Sequence, residues 1–99
     1  YFDEYLAILK EESAASVQLE KGVICIYPMY TRDRPTSIRL LEIYASREDY
    51  ASHLQTEHFQ KYKTSTAKMV TSLELVEMEP IDLTTMPEIF VKLNELKSR

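Results

Sequence analysis

His53 and His58 are the only two histidines of a 99-residue chain, and both fall within residues 41–63, which also carry Glu42 and Tyr44. An imidazole titrates near neutrality and can take up or release a proton under ordinary conditions. Glu42 interrupts an otherwise apolar run, where a carboxylate must be paired or hydrogen-bonded if it is buried. Tyr44 follows two residues later, so it shares the strand face of Glu42 and adds a phenolic donor. His53, Glu42 and Tyr44 therefore form a candidate catalytic set for moving protons, with Glu42 orienting an imidazole or a substrate hydroxyl. The competing reading of Glu42 is a structural contact with an arginine or with backbone at a subunit seam. That of His53 is a half-buried ring hydrogen-bonded to its surroundings. His58 stands in the first turn of a predicted helix, where a cap interaction or an intersubunit contact accounts for it equally well.

Other chemistries find less support. On one continuous helix the five-residue separation of the histidines turns them about 140° apart, unlike the i, i+4 pair of His-Glu-x-x-His sites. His53-x-x-x-Glu57-His58 misses the inverted zinc motif by one residue and no cysteine lies near, so no metal site is expected. A single glycine cannot build the Gly-rich phosphate turn of flavin or nicotinamide enzymes. Cys25 lies inside Val23-Ile-Cys-Ile26 and reads as a buried structural thiol in a reducing compartment. The net charge of −4, with scattered basic residues, excludes a nucleic-acid partner. No apolar run reaches the roughly 18 residues of a membrane span and no signal-peptide pattern opens the chain, so the expected location is the cytoplasm. The chain does not begin with Met, and some N-terminal sequence is expected to have been removed.

The elements that must position these residues follow from periodicity. Phe2, Tyr5, Leu6, Ile8, Leu9 and Val17 recur at helical spacing with Asp3, Glu4, Lys10, Glu11 and Glu12 opposite, predicting an amphipathic helix over 2–19. Gly22 is expected to close it as a left-handed residue. Residues 23–30 and 37–45, joined by the turn-like segment 31–36, predict a hairpin. Ser46-Arg-Glu-Asp49 resembles a capping box ahead of a short helix, and a second helix starts at Thr56 with Phe59, Tyr62, Thr66, Met69 and Val70 along one stripe. Residues 73–78 predict a last strand, ended by Pro80. Thr85-Met-Pro-Glu88 predicts another capping box, with proline at the first position of a C-terminal amphipathic helix.

Both faces of the predicted hairpin are apolar. Val23, Cys25, Tyr27 and Met29 alternate with Ile24, Ile26 and Tyr30, while Ile38, Leu40 and Tyr44 alternate with Leu41 and Ile43. Helices can shield one face, and the other then needs a cover. A second copy of the chain is the simplest one, which predicts a homodimer packed through its sheets. The alternative is a monomer capped by residues 85–97.

The order helix, strand, strand, helix, helix, strand, together with Glu20-Lys-Gly-Val23, Leu41-Glu-Ile-Tyr44, His53-Leu54 and Thr56-Glu-His-Phe59, resembles the antibiotic biosynthesis monooxygenase family, which includes quinol monooxygenases. The resemblance implies an α+β, ferredoxin-like dimeric α/β barrel with an antiparallel sheet. It assigns residues 1–80 to the family domain and 81–99 to a C-terminal extension with an amphipathic helix. The family fold begins with a strand ahead of the first helix, a strand apparently missing from this chain. The position of His53 is implied to face the family pocket, with Tyr27, His58, Phe59 and Tyr62 as substrate-binding residues, although each aromatic also reads as simple core. In haem-binding relatives the ligand is a histidine four residues beyond the match to Phe59. Here Lys63 stands there and the chain lacks tryptophan, so no haem or other cofactor is expected. The implied function is a cofactor-independent monooxygenase oxidising a small quinol or polyphenolic compound with molecular oxygen. The alternatives are an acid–base isomerase of a small carbonyl metabolite and a non-catalytic dimeric module that binds a ligand.

Overall fold

A computed structural model describes residues 1–97. The element order is α1 (Phe2–Leu19), β1 (Val23–Tyr30), β2 (Ile38–Tyr44), α2 (Arg47–Leu54), α3 (Glu57–Thr66) and α4 (Thr85–Lys97). The first helix has the predicted bounds, and Asp3 and Glu4 in its first turn oppose the positive end of its dipole. Its buried stripe differs from the expected one. Leu9, Glu12, Ser13 and Ser16 face inward, whereas Val17 is 44% exposed. Hydropathy had placed Glu12 on the solvent side; the interior here contains polar partners for it, so its side chain turns in.

Gly22 does not take the expected left-handed conformation, since no described residue has a positive φ. The helix instead ends through Glu20, which is extended at φ −112° while its N–H still reaches Ser16. Glycine is needed here for space. A Cβ at Gly22 would lie 2.1 Å from Cγ of Asp49 and 2.5 Å from its Cβ, and the Gly22 carbonyl accepts from the Ala45 N–H at 2.8 Å. The start of β1, the end of β2 and the start of α2 converge at this one residue.

The hairpin forms as predicted, with β1 and β2 antiparallel and Ile26 opposite Glu42, Tyr27 opposite Leu41 and Tyr30 opposite Ile38. A register shift between Val23 and Cys25 corrects the expected division of faces, because the bulged residue Ile24 breaks the alternation and leaves both Val23 and Ile26 buried. The helix-facing side then carries Ile26, Pro28, Ile38, Leu40, Glu42 and Tyr44. The opposite side carries Cys25, Tyr27, Met29, Leu41 and Ile43.

α1 lies on β1 and α3, and α2 bridges α3 and both strands. Phe2 meets Tyr30 edge-on at 5.8 Å, fixing the start of α1 over the far end of β1. The Tyr5 and Tyr62 hydroxyls, 2.7 Å apart, pin α1 to α3. The helix starts at Ser46 and Thr56 are capped, with Ser46 Oγ accepting from the Asp49 N–H at 3.1 Å and Thr56 Oγ1 accepting from the Phe59 N–H at 3.3 Å. The α3 helix stops at Thr66, before Met69 and Val70.

The C-terminal third departs most from expectation. Residues 73–78 form no strand; a strand exists through its ladder of partners, and among the described residues none runs beside this segment. Its side chains are exposed, and Arg47 reaches Glu77 at 2.6 Å. The α4 helix starts at Thr85, which makes Pro87 its third residue and not its first, and Asp82 rather than Thr85 receives the polar groups at its entry. None of the residues of α4 is buried, so it does not cap the sheet.

Candidate functional site

The buried side chains of this protein are unusually polar. Among the described residues Leu9, Val23 and Ile26 are the buried apolar members, against Glu12, Ser13, Ser16, His53 and Thr66. Buried polar groups persist where they are mutually satisfied, and most of these belong to one network. His53, in the last turn of α2, is 2% exposed. Its Nδ1 is 2.9 Å from Glu20 Oε2, and its Nε2 is 3.5 Å from Glu12 Oε1. His58, from the first turn of α3, brings Nε2 to 2.6 Å from the same Glu20 oxygen. The Ser16 hydroxyl lies 2.8 Å from both the carbonyl and Oε1 of Glu12.

The two carboxylates are pulled in opposite directions. Burial pushes Glu12 above the usual carboxylate range, a rise that the Ser16 hydrogen bond and the nearby imidazoles only partly offset. Burial also acts to raise Glu20, but hydrogen bonds from His53 and His58 outweigh it and hold this carboxyl below its usual range. The two carboxyls beside His53 are thus shifted in opposite directions, Glu12 upward by burial and Glu20 downward by its imidazole hydrogen bonds.

Tyr44 joins this network to the sheet. Its ring is 5.5 Å from His53 and 5.0 Å from Tyr50, and its hydroxyl donates to Glu42 Oε1 at 2.5 Å. Burial and the adjoining Glu42 carboxylate push the phenol far above its ordinary range, so it remains a neutral donor. Phe59 also packs against the His53 ring, at 5.0 Å, and Tyr62 follows Phe59 at 6.1 Å.

Six of the seven residues singled out from the sequence thus come together: Glu42, Tyr44, His53, His58, Phe59 and Tyr62. Tyr27 does not; it lies 60% exposed on the far side of the sheet. Cys25 also faces that side as a free, half-buried thiol, with its pKa raised by burial. Sequence reasoning missed Glu12, Ser16 and Glu20. A signal was available, because Glu12, Ser16 and Glu20 follow Leu9 at i+3, i+7 and i+11 along one helix face. Beside the network, Leu6, Leu9 and Ser13 of α1 face Pro28, Tyr30 and Ile38 across a mainly apolar cleft of about 300 Å³. The Ser13 hydroxyl, buried and without a hydrogen-bond partner, lies in its wall.

A helix, a hairpin and two short capped helices around a buried carboxylate–imidazole cluster define an α+β class of small domain. The family model for antibiotic biosynthesis monooxygenases matches residues 1–65. The chain is similar to a solved structure from Bacteriodes thetaiotaomicron VPI-5482, provisionally named an antibiotic biosynthesis monooxygenase. Identity is 44% over 82% of this chain and 77% of the other, with a TM-score of 0.80. It is also similar to a provisionally named monooxygenase from Lactobacillus acidophilus NCFM at 28% identity, covering 72% of this chain but 34% of that one, with a TM-score of 0.70. A Nitrosomonas europaea protein at 20% identity and a TM-score of 0.77, covering 83% of this chain and 79% of that one, shares the fold. Comparison with curated proteins finds no match. The chain belongs to the antibiotic biosynthesis monooxygenase family.

Proposed function

We propose that this protein is a monooxygenase that oxidises a small quinol or polyphenolic compound with molecular oxygen, the substrate itself supplying the electrons. The observation that carries the proposal is the Tyr44–Glu42 hydrogen bond on the helix-facing side of β2, the same side that contributes Ile38 to the apolar cleft. The apolar cleft of about 300 Å³ lies further along that side and is lined by neither Glu42 nor Tyr44, so in this reading it receives an apolar part of the substrate while the reacting hydroxyl lies at the Glu42–Tyr44 pair. Glu42 accepts the proton of the substrate hydroxyl and Tyr44 donates a hydrogen bond to the oxygen that remains. The resulting phenolate gives one electron to oxygen, and the superoxide and substrate radical combine at a ring carbon. The hydroperoxide so formed loses water to leave a new carbonyl.

His53 was expected to exchange protons with the substrate directly. At 2% exposure, with the Tyr44 and Phe59 rings packed against it at 5.5 and 5.0 Å, it acts in this reading as a positioning residue for Tyr44. The bare sheet face with Tyr27, Met29 and Leu41 is proposed to be covered by a second copy of the chain.

The test is oxygen uptake with a panel of quinols and polyphenols. Glu42→Gln and Tyr44→Phe are expected to lower kcat/KM at least about 100-fold, the lower end of the range for loss of a proton-transfer group, while circular dichroism stays unchanged. Turnover of a carbonyl compound without oxygen would select the isomerase alternative instead, and inactivity across both panels would leave a ligand-binding module.

A further inference from the structure

Glu20, His53 and His58 each offer one ligand atom, and these atoms all lie within 4.8 Å of one another. The geometry points to a binding site for a divalent first-row transition metal, Zn²⁺ foremost, held by His53 Nδ1, His58 Nε2 and the Glu20 carboxylate. Two imidazoles with one carboxylate are a donor set that such ions favour. The spacing that argued against a metal assumed one continuous helix. In the structure α2 ends at Leu54 and α3 begins at Glu57, and the Thr56 hydroxyl donates to the His53 carbonyl at 2.8 Å, fixing the turn between them. The break brings the two rings to 6.3 Å, and Glu20 reaches them from the end of α1.

A second feature is independent of this convergence. The ring nitrogen of His53 that points away from the cluster, Nε2, faces Glu12 Oε1 at 3.5 Å, and Glu12 is itself held by Ser16. Ligating histidines characteristically direct their other ring nitrogen to a carboxylate, which fixes tautomer and orientation. The side chains of His53, Glu20 and His58 are 3%, 13% and 19% exposed, so the cluster is sheltered yet reachable from the His58 side. Glu20 Oε2 now accepts from both rings at 2.9 and 2.6 Å. A metal ion takes the place of ring protons at the ligating nitrogens; neighbours in a tetrahedral shell with bonds of about 2.1 Å stand roughly 3.4 Å apart, so Glu20 must draw back from both rings and the two imidazoles must turn to meet that spacing.

This inference goes beyond the proposed oxidation, which uses Glu42 and Tyr44 and no ion. The bound ion would brace His53 behind Tyr44. The chelator-treated full chain is titrated with Zn²⁺ by calorimetry and with Co²⁺ by visible absorption and by NMR of the imidazole nitrogens. One equivalent per chain is expected, with cobalt d–d bands and selective broadening of the His53 and His58 ring signals. His58→Ala and Glu20→Gln should each weaken binding more than about tenfold, and Glu12→Gln about 10- to 100-fold as an outer partner. If a variant does not fold, the broadening pattern in the unaltered protein decides. Absence of binding, or binding that leaves both ring signals sharp, overturns the site. Either result leaves quinol-dependent oxygen uptake to be judged on its own assay.

Discussion

Ser16 has no solvent exposure, and its one hydroxyl serves Glu12, which would otherwise be a poorly satisfied carboxyl in the interior. Ser16→Ala removes that donor while leaving the carboxyl buried. The expected loss of stability is about 1–3 kcal/mol, the usual cost of stranding a buried polar group, read from denaturant midpoints. Gly22 makes a similar demand on space. Gly22→Ala would set a methyl 2.5 Å from Asp49 Cβ, an overlap that side-chain rotation cannot relieve because Cβ is fixed to the backbone. A loss of about 1–3 kcal/mol is expected, and Asp49→Ala should rescue it only partly, since the Cβ collision remains.

The helix starts carry the next set of consequences. Thr56 caps α3 through the Phe59 N–H and at the same time ties down the His53 carbonyl. Thr56→Ala should therefore cost about 1 kcal/mol as a lost cap and also disorder the His53–His58 turn, visible as broadened imidazole resonances. At the start of α4, hydrogen bonds from the Thr84 and Thr85 hydroxyls and the Thr84 N–H draw Asp82 down from the usual range to about 2. Its pKa is depressed in the folded state, so the stabilising contact is fully present above the ordinary aspartate value near 4 and disappears as pH falls towards 2. An acid titration followed at the Thr84 amide should show that transition near pH 2, whereas a midpoint near 4 would mean that Asp82 does not cap the helix entry.

At the scale of the whole molecule, the helices leave one side of the hairpin bare, with Leu41 at 51% and Tyr27 at 60% exposure. Apolar side chains at facing positions of two strands make a contiguous patch of the kind that marks an interaction surface. Light scattering is expected to give twice the chain mass, and Leu41→Asp, which places a charge at the centre of that face, should shift the protein to monomer without altering the His53 network on the other side. A monomeric unaltered protein would remove the dimer from the proposal. Leu73, Leu75, Val76 and Met78 add a second exposed apolar stretch, and deleting none of the hairpin contacts, their substitution by serine should leave the melting temperature of the α1–α3 body within a few degrees.

The amino-acid sequence alone determined the local structure: the length of α1, the hairpin with its turn over 31–36, and the two capped starts at Ser46 and Thr56. Each of these rests on signals a few residues apart, a period or a cap, that the chain carries in itself. It also placed Glu42 and Tyr44 on one strand face and six of the seven candidate site residues in one neighbourhood, because the motif segment folds over the end of its own hairpin. The tertiary structure decided the rest. Glu12 turns inward and Val17 outward because the Glu12 carboxyl finds Ser16 and His53, and His53 meets Glu20 across 33 positions of sequence. The bulge at Ile24 reassigns the face of Val23, and residues 73–78 remain unpaired, because a strand needs a neighbour whose presence no local pattern can supply. Periodicity records which residues can share a face; partners brought from distant elements determine which face is buried and what a carboxyl or imidazole does there.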